Sequence, residues 1–500
     1  MKKRNHFSGN TKAVTAILLA VLMVCGIFMA AAFGLPGRGQ AAKEQEKEMI
    51  VVSDRTGMPA ALWTGEGTVR LGRSTGPALS RLLGAPADLG GSPYSVLGAA
   101  AEQKDSGFLK RLCKEFWKDS RDTNIRLTVN AEFSSEIYKL LEETGAERGA
   151  VLVYNYRTGE ILAAVSSRGF PDLKDALKED GSFDSETCSN LPFQETFMIG
   201  SVIKPILVAA ALETDPALAD LSYDCKGIYI RDDTTVRCFH GSRHGLIGNA
   251  AEGLSDLDCN GYPLFIMGQA DPAGFYEKLK AFGFDGSFSG DGQIPYADPV
   301  FGGEPDRMRG ADLLLAGIGQ GRASSSMVGL ARAYAALFNG GESPAPRILK
   351  DAPAGESLTM CSAETAGKIL EGMEKAAEGR RICTAAGFGE YADGSFSNAV
   401  WALEGVHPGD LQKGDDDAWL VLTCLDHYSF REDEDTQNTA LALTGEILSR
   451  VLETDLSSPF YCSRTDWEGL RKKLEANGDM PGCWGVRQIR MYEFVIRSGR

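Results

Sequence analysis

The stretch Phe197-Met198-Ile199-Gly200-Ser201-Val202-Ile203-Lys204-Pro205 places a lysine three residues after a serine. Residues 202–212 are apolar almost all round and rich in alanine, the pattern of a helix buried on every side. Gly200 frees the backbone just ahead of it. Pro205 falls in the first turn, where a missing N–H does little harm. At i and i+3, Ser201 and Lys204 emerge on one face, with the serine at the positive end of the helix dipole. The stretch therefore supplies a hydroxyl nucleophile, an amine in reach of its proton, and a helix N-terminus that favours developing negative charge. The plainer alternative is the start of a core helix whose lysine pairs with a carboxylate, Asp258 being the nearest in kind.

Around this stretch lie 500 residues, enough for two or three domains. A net charge of -16 argues against a nucleic-acid partner. Residues 1–12 carry Lys2, Lys3, Arg4 and Lys12, and residues 13–35 are uncharged and long enough to cross a bilayer. Acidic residues follow (Glu44, Glu46, Glu48). The charge asymmetry predicts a cytoplasmic N-terminus, a single membrane-spanning anchor and an extracytoplasmic bulk. A cleaved signal peptide is the alternative, small residues at 30–32 permitting cleavage. Of eleven cysteines, Cys25 lies in the apolar run and ten lie outside it. An even number permits disulfides, and Cys225 with Cys238 is the best-placed pair. Zinc, with His240 and His244 nearby, is the other reading, but the spacing matches no zinc signature, so neither metal nor cofactor is expected.

In chain order, residues 36–50 read as a polar tether and 51–125 as a small N-terminal region, with a strand at its start and an amphipathic helix near 106–118. A strand is predicted at 125–129 and a helix at 132–143. A hairpin over 150–155 and 160–165 turns at Arg157-Thr158-Gly159. Helices are predicted at 261–268, 272–282, 312–316, 327–338, 363–377 and 436–452, with Asn339-Gly340-Gly341 stopping the fourth. Strands at 396–403 and 419–425 complete the pattern. Strands at both ends with helices between them predict an α/β protein of the α+β kind, one antiparallel sheet closed by both ends of 126–453 around a helical subdomain.

These residues resemble the transpeptidase domain of class B penicillin-binding proteins. Ser201 and Lys204 match the family's S-x-x-K pattern. The segment from Arg148 to Ser166 is similar to the hairpin that opens that domain. Val52-Ser53-Asp54-Arg55-Thr56-Gly57 resembles its "DRNG" strand, and Arg126-Leu127-Thr128-Val129-Asn130 its "LTID" entry. Cys225, Cys238, His240-Gly241 and Cys259-Asn260 follow the order many members show before their second motif. Gly317-Ile318-Gly319-Gln320-Gly321 with Asn339-Gly340-Gly341 resembles the "IGQG…NGG" run, and Asp417-Ala418-Trp419-Leu420 the "HAWF" strand. The resemblance spans about 51–453. It implies a penicillin-binding/β-lactamase-like transpeptidase fold. It also implies a serine acyl-enzyme made from peptidoglycan stem peptides or β-lactams, and work beside other cell-envelope assembly proteins at the cell membrane. Residues 454–500 lie beyond it.

Two motifs depart from the family. At the S-x-N position stands Asp258-Cys259-Asn260, a carboxylate where the family has a neutral hydroxyl. Beside Lys204 it is expected to hold the amine protonated, or to act as the base itself. At the K-T-G position stands Asn398-Ala399-Val400-Trp401-Ala402-Leu403-Glu404, where no register restores Lys, Thr and Gly; Arg380, Arg381 and Lys413 are the nearby cations. The expected catalytic set is therefore Ser201, Lys204, Asp258 and Asn260. The alternative is a catalytically inactive homologue serving as scaffold, regulator or β-lactam/muropeptide sensor. Trp401 and Trp419 are expected to pack in the core, and Gly319-Gln320-Gly321, lacking a P-loop lysine, to form a tight turn.

Overall fold

The computed structural model describes residues 49–453 apart from 65–67, 72–75, 85–93, 98–122, 147, 171–187, 257, 285–292, 309, 377–381, 390–398, 412–416 and 427–435. The expected anchor (13–35), most of the tether, the helix near 106–118, the cations Arg380, Arg381 and Lys413, and residues 454–500 lie outside the described residues. Among the described residues no helix is long and apolar enough to cross a membrane.

The N-terminal region is a four-stranded sheet. Met49–Ser53 lies between the antiparallel Pro59–Thr64 and the parallel Thr123–Arg126, with Thr68–Leu71 beyond Pro59–Thr64. Its turn is fixed by Asp54, whose Oδ1 accepts the backbone N–H groups of Thr56 and Met58, 2.9 Å each. Asp54 Oδ2 takes the N–H of Ala131 at 3.2 Å, tying this sheet to the helix Ala131–Glu143. Asn130 caps that helix through the N–H of Phe133.

The main sheet has five antiparallel strands in the order Ile382–Gly389, Ala399–Val406, Trp419–Asp426, Arg148–Asn155, Ile161–Ser166. Both ends of 126–453 contribute to it, as predicted. Arg148–Asn155, Ile161–Ser166, Ala399–Val406 and Trp419–Asp426 are buried along almost their whole length because both faces are covered. Val151, Val153, Val421 and Leu425 face a cluster with Phe133, Ile447 and Val451 from the flanking helices Ala131–Glu143 and Thr436–Glu453. Leu152, Tyr154, Trp401 and Leu422 face the larger core, which holds the helices Lys204–Leu212 and Met327–Phe338. Every residue of Met327–Phe338 is buried. Its glycine and alanines allow that depth: a Cβ on Gly329 would come within 2.8 Å of Pro299. The chain leaves this helix at Asn339-Gly340-Gly341, where Gly340 and Gly341 take φ of 63° and 98°.

Two sequence expectations shift. The helix at 202–212 begins later: Gly200–Ile203 is a 3-10 turn and the α-helix is Lys204–Leu212. The strand expected at 396–403 runs Ala399–Val406 and is second in the sheet, and the strand at the sheet edge is Ile382–Gly389, which the sequence pattern did not reveal.

Candidate active site

Ser201 and Lys204 are brought together by the 3-10 turn rather than by an α-turn. With three residues per turn, positions i and i+3 eclipse, so the two side chains leave the backbone one above the other. The turn closes with the backbone N–H of Lys204 donating to the carbonyl of Ser201. Ser201 is partly exposed, whereas Lys204 is 3% exposed.

Four separate elements hold this turn. Gly200 donates its N–H to the carbonyl of Gly319 at 2.8 Å. Phe197–Met198 pairs with Ser324–Ser325. The Tyr334 hydroxyl, from the buried helix Met327–Phe338, donates to the Val202 carbonyl at 2.6 Å. The Trp401 indole N–H donates to the Met198 carbonyl at 2.7 Å, with its ring edge-on to Phe197. Trp401 is thus a buried core residue, as expected, and it also buttresses the nucleophile's turn. Gly319 and Gly321 take φ of 73° and 72°, which makes Gly319-Gln320-Gly321 the tight turn predicted. Gly319 touches Gly200 so closely that a Cβ there would lie 2.1 Å from the Gly200 carbonyl oxygen. Upstream, Arg148 bridges Asp426 and Glu195, 2.7 Å each, with its guanidinium 4.9 Å from the centre of the Phe197 ring.

The direction of the Lys204 shift departs from expectation, although the amine is still mostly protonated at pH 7. Burial drives its pKa from 10.5 down to about 8, and the upward pulls of Cys259, Cys238, Asp258 and Asp256 do not cancel this. Asp258 does act on the amine in the direction expected. Losing the hydration shell of an ammonium outweighs that attraction, because charge is costly where water is excluded.

Asn260 precedes the helix Gly261–Gln269, and its side-chain amide donates to the Arg237 carbonyl at 2.8 Å. One of its donors is therefore committed to holding two loops together. Asp258 accepts the N–H of Phe239 through its backbone carbonyl, at 3.0 Å. The second motif is stitched on both sides to the segment around Cys238. Cys225 and Cys238 are close, with sulfurs 3.5 Å apart, but they are unbonded thiols, and Cys259 lies 3.8 Å from Cys225. The expected isolated pair is therefore a group of three.

The Asn398–Glu404 segment proposed for the third motif lies one strand in from the edge, with Asn398 itself outside the described residues. The edge strand Ile382–Gly389 runs against the Gly200–Ile203 turn. Its small residues, without alternation, gave no strand signal; the clue available was the arginine pair just before it. Trp419 is buried in the core, as expected.

A family model described as the penicillin binding protein transpeptidase domain matches residues 149–391. Penicillin-binding protein PbpB of Mycolicibacterium smegmatis is 23% identical over 367 residues, 66% of this chain and 54% of that protein. Penicillin-binding protein 3 of Bacillus subtilis is 25% identical over 251 residues, 47% of this chain and 35% of that protein. The chain thus spans about half or less of the curated relatives it matches. The crystal structure of PBPA from Mycobacterium tuberculosis covers 81% of this chain and 99% of its own, at 17% identity and a TM-score of 0.65. The penicillin G acyl-enzyme complex of penicillin-binding protein A from the same organism reaches 0.66 at 18% identity, over 82% of this chain and 100% of its own. At these identities the likeness establishes the fold.

Proposed function

We propose, from the match of residues 149–391 to the penicillin binding protein transpeptidase domain and the likeness to curated penicillin-binding proteins, that the chain is a class B penicillin-binding protein, a membrane-anchored serine D,D-transpeptidase acting in peptidoglycan crosslinking. The single observation that carries this reading is the placement of a partly exposed Ser201 and, three residues on, a buried Lys204 at a turn held by four elements. Ser201 Oγ attacks the carbonyl of a D-Ala-D-Ala stem peptide, or of a β-lactam. Lys204 in its neutral form takes the hydroxyl proton. The carbonyl–nitrogen bond then breaks, and the proton passes to the leaving amine. The ester left on Ser201 is transferred to an acceptor amine, which returns a proton as the serine is freed. The edge strand Ile382–Gly389 offers an extended peptide a row of main-chain partners, a form of recognition indifferent to the loss of the K-T-G side chains. Asp258 tunes the charge around Lys204, and Asn260 holds the second motif in place. The domain borders follow the sequence reading: a cytoplasmic tail over 1–12, the anchor at 13–35, a small region over 51–125 and the transpeptidase domain over 126–453. The main domain lies outside the cell membrane, beside other envelope-assembly proteins.

The test is labelling of the full chain in detergent with a fluorescent penicillin. Label that appears on the wild type and is lost in Ser201→Ala supports the reading; no Ser201-dependent label at saturating probe refutes it. The second reading, an inactive scaffold, draws on the commitment of the Asn260 amide to Arg237 and on the rewritten third motif. A stem-peptide crosslinking assay separates the two.

A further inference from the structure

Four side chains with no part in the acylation chemistry converge behind the second motif. Cys225 ends the strand Tyr223–Cys225, and Cys238 follows Thr234–Arg237. His244 precedes Gly245–Ile247, whose Gly245 pairs with Cys225. Cys259 lies just ahead of the helix Gly261–Gln269. The three sulfurs and an imidazole nitrogen all lie within 4.8 Å of one another. A tetrahedron with metal–sulfur bonds of about 2.3 Å and a metal–nitrogen bond of about 2.0 Å has edges of about 3.8 Å between sulfurs and about 3.5 Å from sulfur to nitrogen. The measured edges are 3.5 Å for Cys225–Cys238, 3.8 Å for Cys225–Cys259 and 3.4 Å for Cys225 to His244 Nδ1. The three edges from Cys225 match those of a zinc tetrahedron, and the other three are within 4.8 Å.

The surroundings fit as well. The other ring nitrogen of His244, Nε2, is 3.3 Å from Asp256 Oδ2. A carboxylate there fixes the tautomer that leaves Nδ1 free to bind metal. The backbone N–H of Tyr262 points at the Cys259 sulfur, 3.5 Å away. Three mutually adjacent buried thiols cannot all be consumed by one disulfide. The loops they join have little core of their own: the strands here are three or four residues long, and Ile230 and Leu246 are 60% and 74% exposed. Small, poorly cored segments of this kind are commonly held by a metal.

We propose that Cys225, Cys238, His244 and Cys259 bind one Zn²⁺ as a closed Cys₃His site, and that the ion fixes Asp258-Cys259-Asn260 beside Lys204. With all four positions filled by protein there is none left for water, so the ion is structural rather than catalytic. On binding, three thiols lose their protons to solvent and no electron is transferred. Cys259 is the middle residue of the second motif. The ion therefore joins that motif to the Cys238 segment at the point already bracketed by the Asp258–Phe239 and Asn260–Arg237 hydrogen bonds.

The test begins with the full chain purified in detergent without chelators. Elemental analysis is expected to give one zinc per chain. Cobalt substitution is expected to give the visible bands of tetrahedral thiolate coordination. Iodoacetamide is expected to spare Cys225, Cys238 and Cys259 until 1,10-phenanthroline is added, the sites being read by peptide mass. Asp256→Asn, a change outside the ligand set, is expected to weaken zinc affinity by about 10- to 100-fold with the fold retained. A disulfide between any two of the three cysteines in zinc-free protein would overturn the proposal, as would full zinc retention by a Cys225→Ser/Cys259→Ser double variant. These readouts need no acylation, so absence of penicillin label with one zinc bound refutes the transpeptidase reading and leaves the metal site standing.

Discussion

Replacing Lys204 by methionine should make the protein more stable at neutral pH and abolish its acylation. The lysine is 3% exposed, and burial lowers its pKa from 10.5 to about 8. At about 1.4 kcal/mol per tenfold change in proton affinity, that gap corresponds to about 3 kcal/mol. The folded-state pKa lies below the unfolded one, so the folded chain binds fewer protons between pH 8 and 10.5, and stability rises with pH across that window. Below pH 8 the side chain is protonated in both states and the full cost of burying the ammonium is present. Above pH 10.5 it is neutral in both and the cost is gone. Methionine matches the unbranched stem and carries no charge. Lys204→Met is therefore expected to raise the unfolding midpoint by a few °C at pH 7, less what the lost polar contacts of the ammonium contributed. The gain should shrink to nothing as the pH approaches 10.5. Thermal unfolding of both proteins at pH 7, 9 and 10.5, followed by circular dichroism, reads this as a difference of differences. A variant that melts at or below the wild type at pH 7, with a gap that does not change with pH, would refute the burial argument.

The same side chain sets a kinetic expectation. With a pKa of about 8, roughly a tenth of Lys204 is neutral at pH 7 and roughly nine-tenths at pH 9. The rate of Ser201 labelling by a fluorescent penicillin should rise about tenfold over that interval and then level; a rate flat from pH 6 to 9 would remove Lys204 as the base. Gly319→Ala places a methyl group 2.1 Å from the Gly200 carbonyl oxygen at a φ of 73°. The left-handed conformation alone costs about 1–2 kcal/mol, and the clash must move Gly200, so labelling should fall at least tenfold; an unaltered rate would show that the turn tolerates displacement. Trp401→Phe strips the Met198 carbonyl of its indole donor and should destabilise by about 1–3 kcal/mol in denaturant titration. Arg148→Met leaves the fully buried Asp426 carboxylate without its guanidinium and should cost about 3 kcal/mol by the same measurement.

Much of the fold is written in local pattern. The hairpin shows as two apolar runs around Arg157-Thr158-Gly159, and Met327–Phe338 as a small-residue helix ended by Asn339-Gly340-Gly341. These signals act over a few residues, and the backbone obeys them. What escaped depends on partners far along the chain. The Ile382–Gly389 strand is made a strand by its ladder with Ala399–Val406, not by any alternation of its own. The Gly200–Ile203 turn and the strand before it are held by Gly319, Tyr334 and Trp401, which lie between 119 and 201 positions beyond Gly200. The sign of the Lys204 shift could not be read from Asp258 alone, since the opposing burial comes from the whole core. The cysteines were visible individually, but a spacing of 13, 6 and 15 residues between successive ligands follows no short motif, and only strand pairing brings them together.

The edge position of Ile382–Gly389 also gives the protein a built-in clock. Among the described residues this strand is laddered to the sheet on one side, through Ala399–Val406. Amides that point the other way are expected to trade hydrogen for deuterium at a rate set by local opening, while those in the ladder wait for deeper excursions. An extended occupant lying alongside would close that difference for as long as it stays bound. The contrast between alternate amides of one short strand would then time residence at the nucleophile's turn, with no chromophore and no turnover required.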